Sequence, residues 1–135
     1  MQGFRRSLLL AASLLALAPL APLAHAQGFP TKPIKIVFTY APGGTGDVIA
    51  RTLATSMSEL LGQPVVVANK DGAAGVIGTG AVAAAQPDGY TLGFSAMGVV
   101  TAQPHLRDGM RYSAASFDYI CQVTDVIVVA SVSNE

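Results

Sequence analysis

The feature that most constrains the fold of this chain is an alternation of short apolar runs with longer stretches of helical spacing. Residues 34–38, 65–67 and 90–94 are rich in β-branched or aromatic side chains, which is typical of strands. After the first run, apolar side chains recur every three or four residues, as on one face of a helix: Ile49, Leu53, Met57 and Leu60. Residues 75–85 are small and alanine-rich, and predict a second, closely packed helix. The order β-α-β-α-β predicts an α/β fold with a parallel sheet and right-handed crossovers.

Further elements are predicted around and after this core. Gly62 is expected to end the first helix in a left-handed conformation. Residues 102–106 predict a short helical turn, and the apolar runs 119–123 and 126–130 predict two more strands. Cys121 is the single cysteine and lies in the first of these runs. It cannot form an intramolecular disulfide, and we expect it to be a small buried residue.

Two glycine-rich loops stand at the starts of the two predicted helices. They are APGGTGD at residues 41–47 and DGAAG at residues 71–75. Glycine lets a ligand approach the backbone and permits conformations that direct successive N–H groups to one point. A helix N-terminus behind such a loop suits an anion such as a carboxylate, and ligands of open α/β sheets bind at this edge. The alternative that both loops are only tight turns stays open at this point.

The first loop also carries polar residues that suit a helix start. Thr45 is expected to be the N-cap residue, and Asp47 suits the positive end of the helix dipole. Asp47 and Arg51 are four residues apart, which allows an ion pair on one helix face. Neither loop has the residue order of a phosphate-binding P-loop or of a dinucleotide site.

The sequence offers little chemistry for catalysis. No histidine or second carboxylate lies near Asp47, and Ser95 lacks the Gly-x-Ser-x-Gly context of a nucleophile. His105 is expected to be a surface residue. Tyr40 and Phe94 end two strands, where each could line a pocket or fill the core. One cysteine and two histidines leave almost no ligands for zinc. We expect a protein that is not an enzyme and needs no metal or cofactor.

Several motifs together resemble the substrate-binding proteins of tripartite tricarboxylate transporters, the Bug family. The matching stretches follow the family's order over nearly the whole chain after residue 26: FPTKPIKIV at 29–37, APGG at 41–44 with Asp47 and Ala50-Arg51, LGQPVVV at 61–67, GAAGxIG at 72–78 and PDGYTL at 87–92. Each motif is weak by itself, and the specificity lies in the set.

The resemblance implies a periplasmic-binding-protein type II-like fold, a two-domain Venus flytrap. It implies capture of a small carboxylate and its delivery to the permease subunits of a tripartite transporter. In the family, main-chain groups of the two loops hold the ligand. Carried over, the ligand-binding positions are Gly43, Gly44, Thr45, Asp47, Ala73, Ala74 and Gly75. Gly46 departs from the Ser or Thr that the family often has, so one hydroxyl contact would be missing.

The resemblance also bears on domain organisation. Because the family is more than twice as long, residues 27–135 would form a truncated first domain, with the second domain absent. Two other functions stay open beside transport. One is a ligand sensor that presents its bound state to a membrane receptor, and the other is a non-functional truncated remnant.

The N-terminal segment predicts export to the periplasm. A basic start, an apolar run at residues 8–20 and the small residues of Ala24-His25-Ala26 follow the order of a secretory signal peptide. The run is too short for a bilayer span, which needs about 20 apolar residues. We interpret residues 1–26 as the signal peptide. Loss of Arg5 and Arg6 leaves six Lys+Arg against eight Asp+Glu, a net charge of −2. Such a charge favours neither nucleic acid nor membrane as a partner.

Export should remove residues 1–26. N-terminal sequencing of the protein recovered from the periplasm is expected to begin at Gln27. An Ala26→Arg variant should stay unprocessed, because the peptidase accepts small residues at this position. A secreted parent chain that still begins at Met1 would show that the segment is retained.

Overall fold

The computed structural model describes residues 28–125 of the chain. Three strands, four helices and two 3₁₀ turns occur there. In chain order they are β1 (Ile34–Phe38), α1 (Thr45–Leu61), β2 (Val65–Asn69), a 3₁₀ turn (Ala73–Gly75), α2 (Val76–Ala83), β3 (Thr91–Phe94), α3 (Met97–Thr101), α4 (Gln103–Leu106) and a second 3₁₀ turn (Ala114–Ser116).

The three strands form one parallel sheet in the order β2-β1-β3. Strand β1 lies in the middle, and its residues Ile34, Ile36, Val37 and Phe38 are all buried. Burial on both faces is what parallel sheets require, since helices cover them. The predicted α/β fold with a parallel β-α-β-α-β start is confirmed. Phe38 pairs with Asn69 on one side and Phe94 on the other, so the three strands end at one edge.

Helix α1 covers one part of the sheet through small residues. Ala50 and Ala54 are buried, and Ala54 joins Ile34, Ile36 and Val65 in the main core cluster. The helix ends as predicted, because Gly62 is left-handed at φ 64° and its N–H donates to the Ser58 carbonyl. The predicted apolar face is shorter than expected. Leu60, in the last turn of the helix, is 85% exposed.

Helix α2 approaches the sheet very closely. A Cβ atom built on Gly78 would lie 2.5 Å from the Lys70 carbonyl oxygen and 3.0 Å from the Thr39 Cα atom. Only glycine fits at this distance, which confirms the close packing predicted from the small residues of this stretch. The helix begins at Val76, one residue later than predicted, because Ala73–Gly75 forms a separate 3₁₀ turn.

The part of the chain after β3 differs from the prediction. The helical turn expected at 102–106 is found as α4, and α3 precedes it. Residues 119–123 form no strand within the described part, because no neighbouring strand pairs with them there. The prediction that Cys121 is buried is also wrong, since its side chain is exposed. The strand predicted at 126–130 lies outside the described residues. Between residues 28 and 125 no helix combines the length and apolar character of a membrane span.

Two glycines of α2 should respond oppositely to alanine. Gly78→Ala forces its new methyl group against backbone atoms, and we expect it to lower the free energy of unfolding by about 1–3 kcal/mol. Gly80→Ala is the matched control, because its nearest neighbour atom lies 3.8 Å away, on the Tyr112 ring. It should raise stability by about 0.5–1 kcal/mol through better helix propensity. Urea unfolding of both variants measures the difference, and equal changes of the same sign would refute the close approach.

Candidate anion-binding site

Two loops leave the shared edge of the sheet beside each other. Loop 1, residues 39–44, joins β1 to α1, and loop 2, residues 70–75, joins β2 to α2. Because β1 and β2 are neighbours in the sheet, both loops lie at their carboxyl ends. This is the edge at which open α/β sheets bind ligands. All seven residues predicted as ligand contacts lie in these loops or in the first turn of α1.

Loop 1 ends in a backbone that is open to an anion. Gly43 is left-handed at φ 91°, and Gly44 is extended at φ −80° and ψ 170°. The prediction that Thr45 is the N-cap is wrong by one residue, because Gly44 takes that place and Thr45 begins the helix. The Gly44 carbonyl accepts the N–H groups of Asp47 and Val48. The Gly44 cap has no side chain, so none of the first helical N–H groups is bonded by a side-chain cap.

Loop 2 has an unusual backbone. Four consecutive residues have positive φ: Gly72 at 134°, Ala73 at 50°, Ala74 at 56° and Gly75 at 92°. The left-handed conformation costs an L-residue about 1–2 kcal/mol, so the two alanines store strain. Residues held in such conformations cluster at ligand sites. Sequence reasoning missed this feature because alanine has no preference for positive φ. Both alanines are exposed, and Gly75 is buried.

The two loops are in contact at their bases. A Cβ atom on Gly75 would lie 3.3 Å from the Thr39 hydroxyl oxygen and 3.4 Å from the Tyr40 ring. Loop 2 therefore packs on the end of β1. The open question about the two strand-end aromatics is also settled. Phe94 packs against the core cluster, whereas Tyr40 is partly exposed and its ring faces Gly75 of loop 2.

Asp47 is the centre of a hydrogen-bond network behind loop 1. Its side chain is only 6% exposed. Oδ2 accepts the Gly43 N–H at 3.1 Å and the Arg51 Nε–H at 2.9 Å. Oδ1 accepts Nη2 of Arg51 at 3.1 Å and Nδ2 of Asn69 at 2.8 Å. The predicted pair with Arg51 is thus confirmed, in a two-point geometry.

Asn69 completes this network, and sequence reasoning placed it in a turn. It is the last residue of β2, and its Oδ1 accepts a hydrogen bond from Arg51 Nη2 at 3.0 Å. Its Nδ2 also donates to the Tyr40 carbonyl at 3.3 Å. Asn69 therefore ties loop 1 to the strand that leads into loop 2. No local pattern could reveal these contacts, since they span 18 to 29 residues.

The network fixes the charge state of Asp47. Hydrogen bonds from Arg51, then from Asn69 and the Gly43 N–H, lower the pKa of this carboxyl from 3.8 to about 2. The carboxylate is therefore ionised at any physiological pH, and its charge is matched by Arg51. Its hydrogen-bonding capacity is directed into the protein, so Asp47 holds loop 1 in place.

A recess beside the loops also occurs in the described part of the chain. It has a volume of about 520 Å³ and runs beside α2, lined mainly by small or apolar residues such as Ile77, Ala81 and Ala84. Its polar lining residues are Lys70, Arg111 and Tyr112, whereas the loops lie at the carboxyl ends of the strands, the edge at which open α/β sheets bind ligands. No three residues of the His, Cys, Asp and Glu types come together between positions 28 and 125 as metal ligands would. We therefore place the candidate site at the loops.

The sequence of the chain matches one family. Residues 49–134 match the family described as tripartite tricarboxylate transporter family receptor, TctC. The chain therefore belongs to this family of substrate-binding proteins. It is 42% identical over 113 residues to a UPF0065 protein of Bordetella bronchiseptica, with 84% of this chain and 33% of that protein aligned. Protein BugT of Bordetella pertussis is 49% identical over 78 residues, with 58% and 24% aligned.

Solved structures share the fold. A periplasmic transporter is 43% identical with a TM-score of 0.60, covering 63% of this chain and 29% of that one. MatC of Rhodopseudomonas palustris with bound malate is 35% identical, with a TM-score of 0.58 and the same coverage. R. palustris Rpa4515 with adipate is 32% identical, with a TM-score of 0.56, over 64% and 29%. The chain spans about a third of the length of its curated UPF0065 relatives from the two Bordetella species.

The contribution of the Asp47 network to the free energy of unfolding should be lost in acid. A carboxyl with a lowered folded pKa stabilises the fold above its unfolded pKa, here 3.8, and this contribution is lost as the pH falls toward about 2. The difference in free energy of unfolding between the parent and Asp47→Asn should therefore be constant above about pH 5 and shrink between about pH 4 and pH 2. Urea unfolding over this range measures it. A difference that does not change with pH would exclude the network as the cause.

Proposed function

We propose that loops 1 and 2 hold one carboxylate of a small organic acid, in a solute-binding protein that serves a tripartite tricarboxylate transporter. The observation that carries the proposal is the pairing of two helix starts without a side-chain cap, at Gly44 and Gly75, on one sheet edge. N–H groups at helix starts bind anions without needing a positive side chain. The contact positions are the seven predicted ones, with Asp47 acting from behind the loop.

The charge balance supports this way of binding. Residues 27–135 carry two more acidic than basic residues, so the overall field does not attract an anion. Local backbone dipoles must do so instead. The Asp47 carboxylate near loop 1 would repel an anionic ligand, but the guanidinium of Arg51 lies 2.9 Å from it and offsets the charge. Backbone N–H groups of the loops could then meet an anion without an uncompensated negative charge behind them.

The solved relatives support a carboxylate as the ligand class. MatC holds malate and Rpa4515 holds adipate, and both molecules are dicarboxylates. Family membership supports a binding role without catalysis, placement in the periplasm after removal of residues 1–26, and delivery to membrane permease subunits. A binding site typically buries about 70–90% of a small ligand, and two exposed loops cover less than that. We propose that a second domain, of the kind the longer relatives have room for, closes over the ligand.

Gly44→Val should abolish carboxylate binding and leave the fold intact. Gly44 has a backbone conformation that any residue can adopt, and a Cβ atom there meets nothing within 4 Å. The new side chain therefore blocks only the approach to the loop. Calorimetric titration of the protein purified from its cells with malate and adipate should show binding at least tenfold weaker than that of the parent. Asp47→Asn should cost less, since its contacts are internal.

Gly28→Val is the matched control. Gly28 is exposed, and a Cβ atom there also meets nothing within 4 Å. It lies outside both loops, so its binding should equal that of the parent. Gly75→Val is a poorer probe, because that residue has positive φ and a Cβ atom would crowd Val99 at 3.2 Å. Binding by folded Gly44→Val within twofold of the parent would contradict the loop 1 site.

A further inference from the structure

A third segment reaches the same sheet edge and has an unusual polar cluster. Ser95 directly follows β3, and its hydroxyl lies between those of Thr39 and Thr79 at 3.2 Å and 3.1 Å. Thr39 and Thr79 are buried, at 0% and 2% exposure, whereas Ser95 is partly exposed. The cluster is therefore closed on the inside and open to solvent only at Ser95.

The direction of these hydrogen bonds sets what Ser95 can do. A hydroxyl has one donor and two acceptor sites. Thr39 donates to the Ser95 oxygen, and the bond between Ser95 and Thr79 can run either way. When Thr79 donates, both acceptor sites of Ser95 are occupied and its own proton is free to point outward. Hydrogen bonds accepted by a hydroxyl polarise it and make it a stronger donor.

The cluster adjoins the proposed carboxylate site. The Thr39 hydroxyl that donates to Ser95 is the atom that would lie 3.3 Å from a Cβ atom on Gly75, in loop 2. Ser95 also follows the end of β3, and β3 pairs with β1 on the side opposite β2. Thr39 at the end of β1 therefore lies between loop 2 and Ser95. A ligand carboxylate held by the loop backbones would therefore have Ser95 beside it, on the side of Thr39 away from loop 2.

We propose that Ser95 is a ligand-binding residue whose hydroxyl donates a hydrogen bond to the bound carboxylate, alongside the backbone donors of loops 1 and 2. The inference rests on the proposed function and adds a side-chain donor to it. Thr79 can take either direction of its bond with Ser95. The hydroxyl of Ser95 is thus satisfied by Thr79 in the empty site and by the ligand in the occupied one. Binding then costs no internal hydrogen bond of the buried threonine Thr39.

The test compares Ser95 with its buried neighbour. The protein purified from its cells is titrated in a calorimeter with a panel of mono- and dicarboxylates that includes malate and adipate. Ser95→Ala should weaken binding about tenfold, the usual scale for a lost hydrogen bond to a charged group. Ser95→Cys, which keeps the size but is a weak donor, should lose a similar factor. Ser95→Thr keeps the hydroxyl and should restore most of the affinity.

Thr79→Val is the matched control. It breaks the same cluster from the inside but leaves the Ser95 hydroxyl in place, so binding should stay within about threefold of the parent while thermal stability falls. Equal losses of affinity in Thr79→Val and Ser95→Ala would mean that the cluster only supports the fold, and would overturn the inference. Binding by Ser95→Ala equal to that of the parent would overturn it as well. A parent that binds no carboxylate of the panel overturns the proposed function and this inference with it.

Discussion

The buried carboxylate of Asp47 is the interaction on which the arrangement of the sheet edge depends. It receives four hydrogen bonds, from the Gly43 N–H, from two nitrogens of Arg51 and from Asn69. These donors belong to loop 1, to α1 and to β2. Bonds with one charged partner are stronger than neutral ones, and a planar guanidinium fixes their direction. One side chain thereby sets the position of loop 1 against the strand that precedes loop 2.

Close packing of α2 imposes the second constraint on the site. Gly78 allows α2 to pack in contact with Lys70 and Thr39. The connection from β2 to α2 must therefore turn within a very short distance. Only six residues, 70–75, separate the end of β2 from the start of α2. The run of positive φ in loop 2 is the conformation that makes this turn possible. The strain of Ala73 and Ala74 is therefore maintained by packing on both sides of the loop.

The elements of the core were predictable because their signals are local. β1, α1, β2 and β3 follow from periodicity and from breakers such as Gly62, and their bounds differ from the prediction by at most two residues. The features that were missed depend on distant partners. Asn69 acts through contacts far along the chain, and residues 119–123 are apolar but have no strand beside them in the described part. The location of the loops was predictable from glycine, whereas the backbone of Ala73 and Ala74 was not.

A site built from backbone donors has consequences for what it recognises. Peptide N–H groups do not titrate, and the Asp47 carboxyl, with a pKa of about 2, keeps one charge state over the range in which organic acids are ionised. Recognition of a carboxylate by such loops should therefore depend on the ligand's own ionisation and hardly on that of the protein. In the proposed site the loops would contact only one end of an extended acid. In the proposed site, discrimination between acids of different length would therefore fall to the residues around the rest of the ligand.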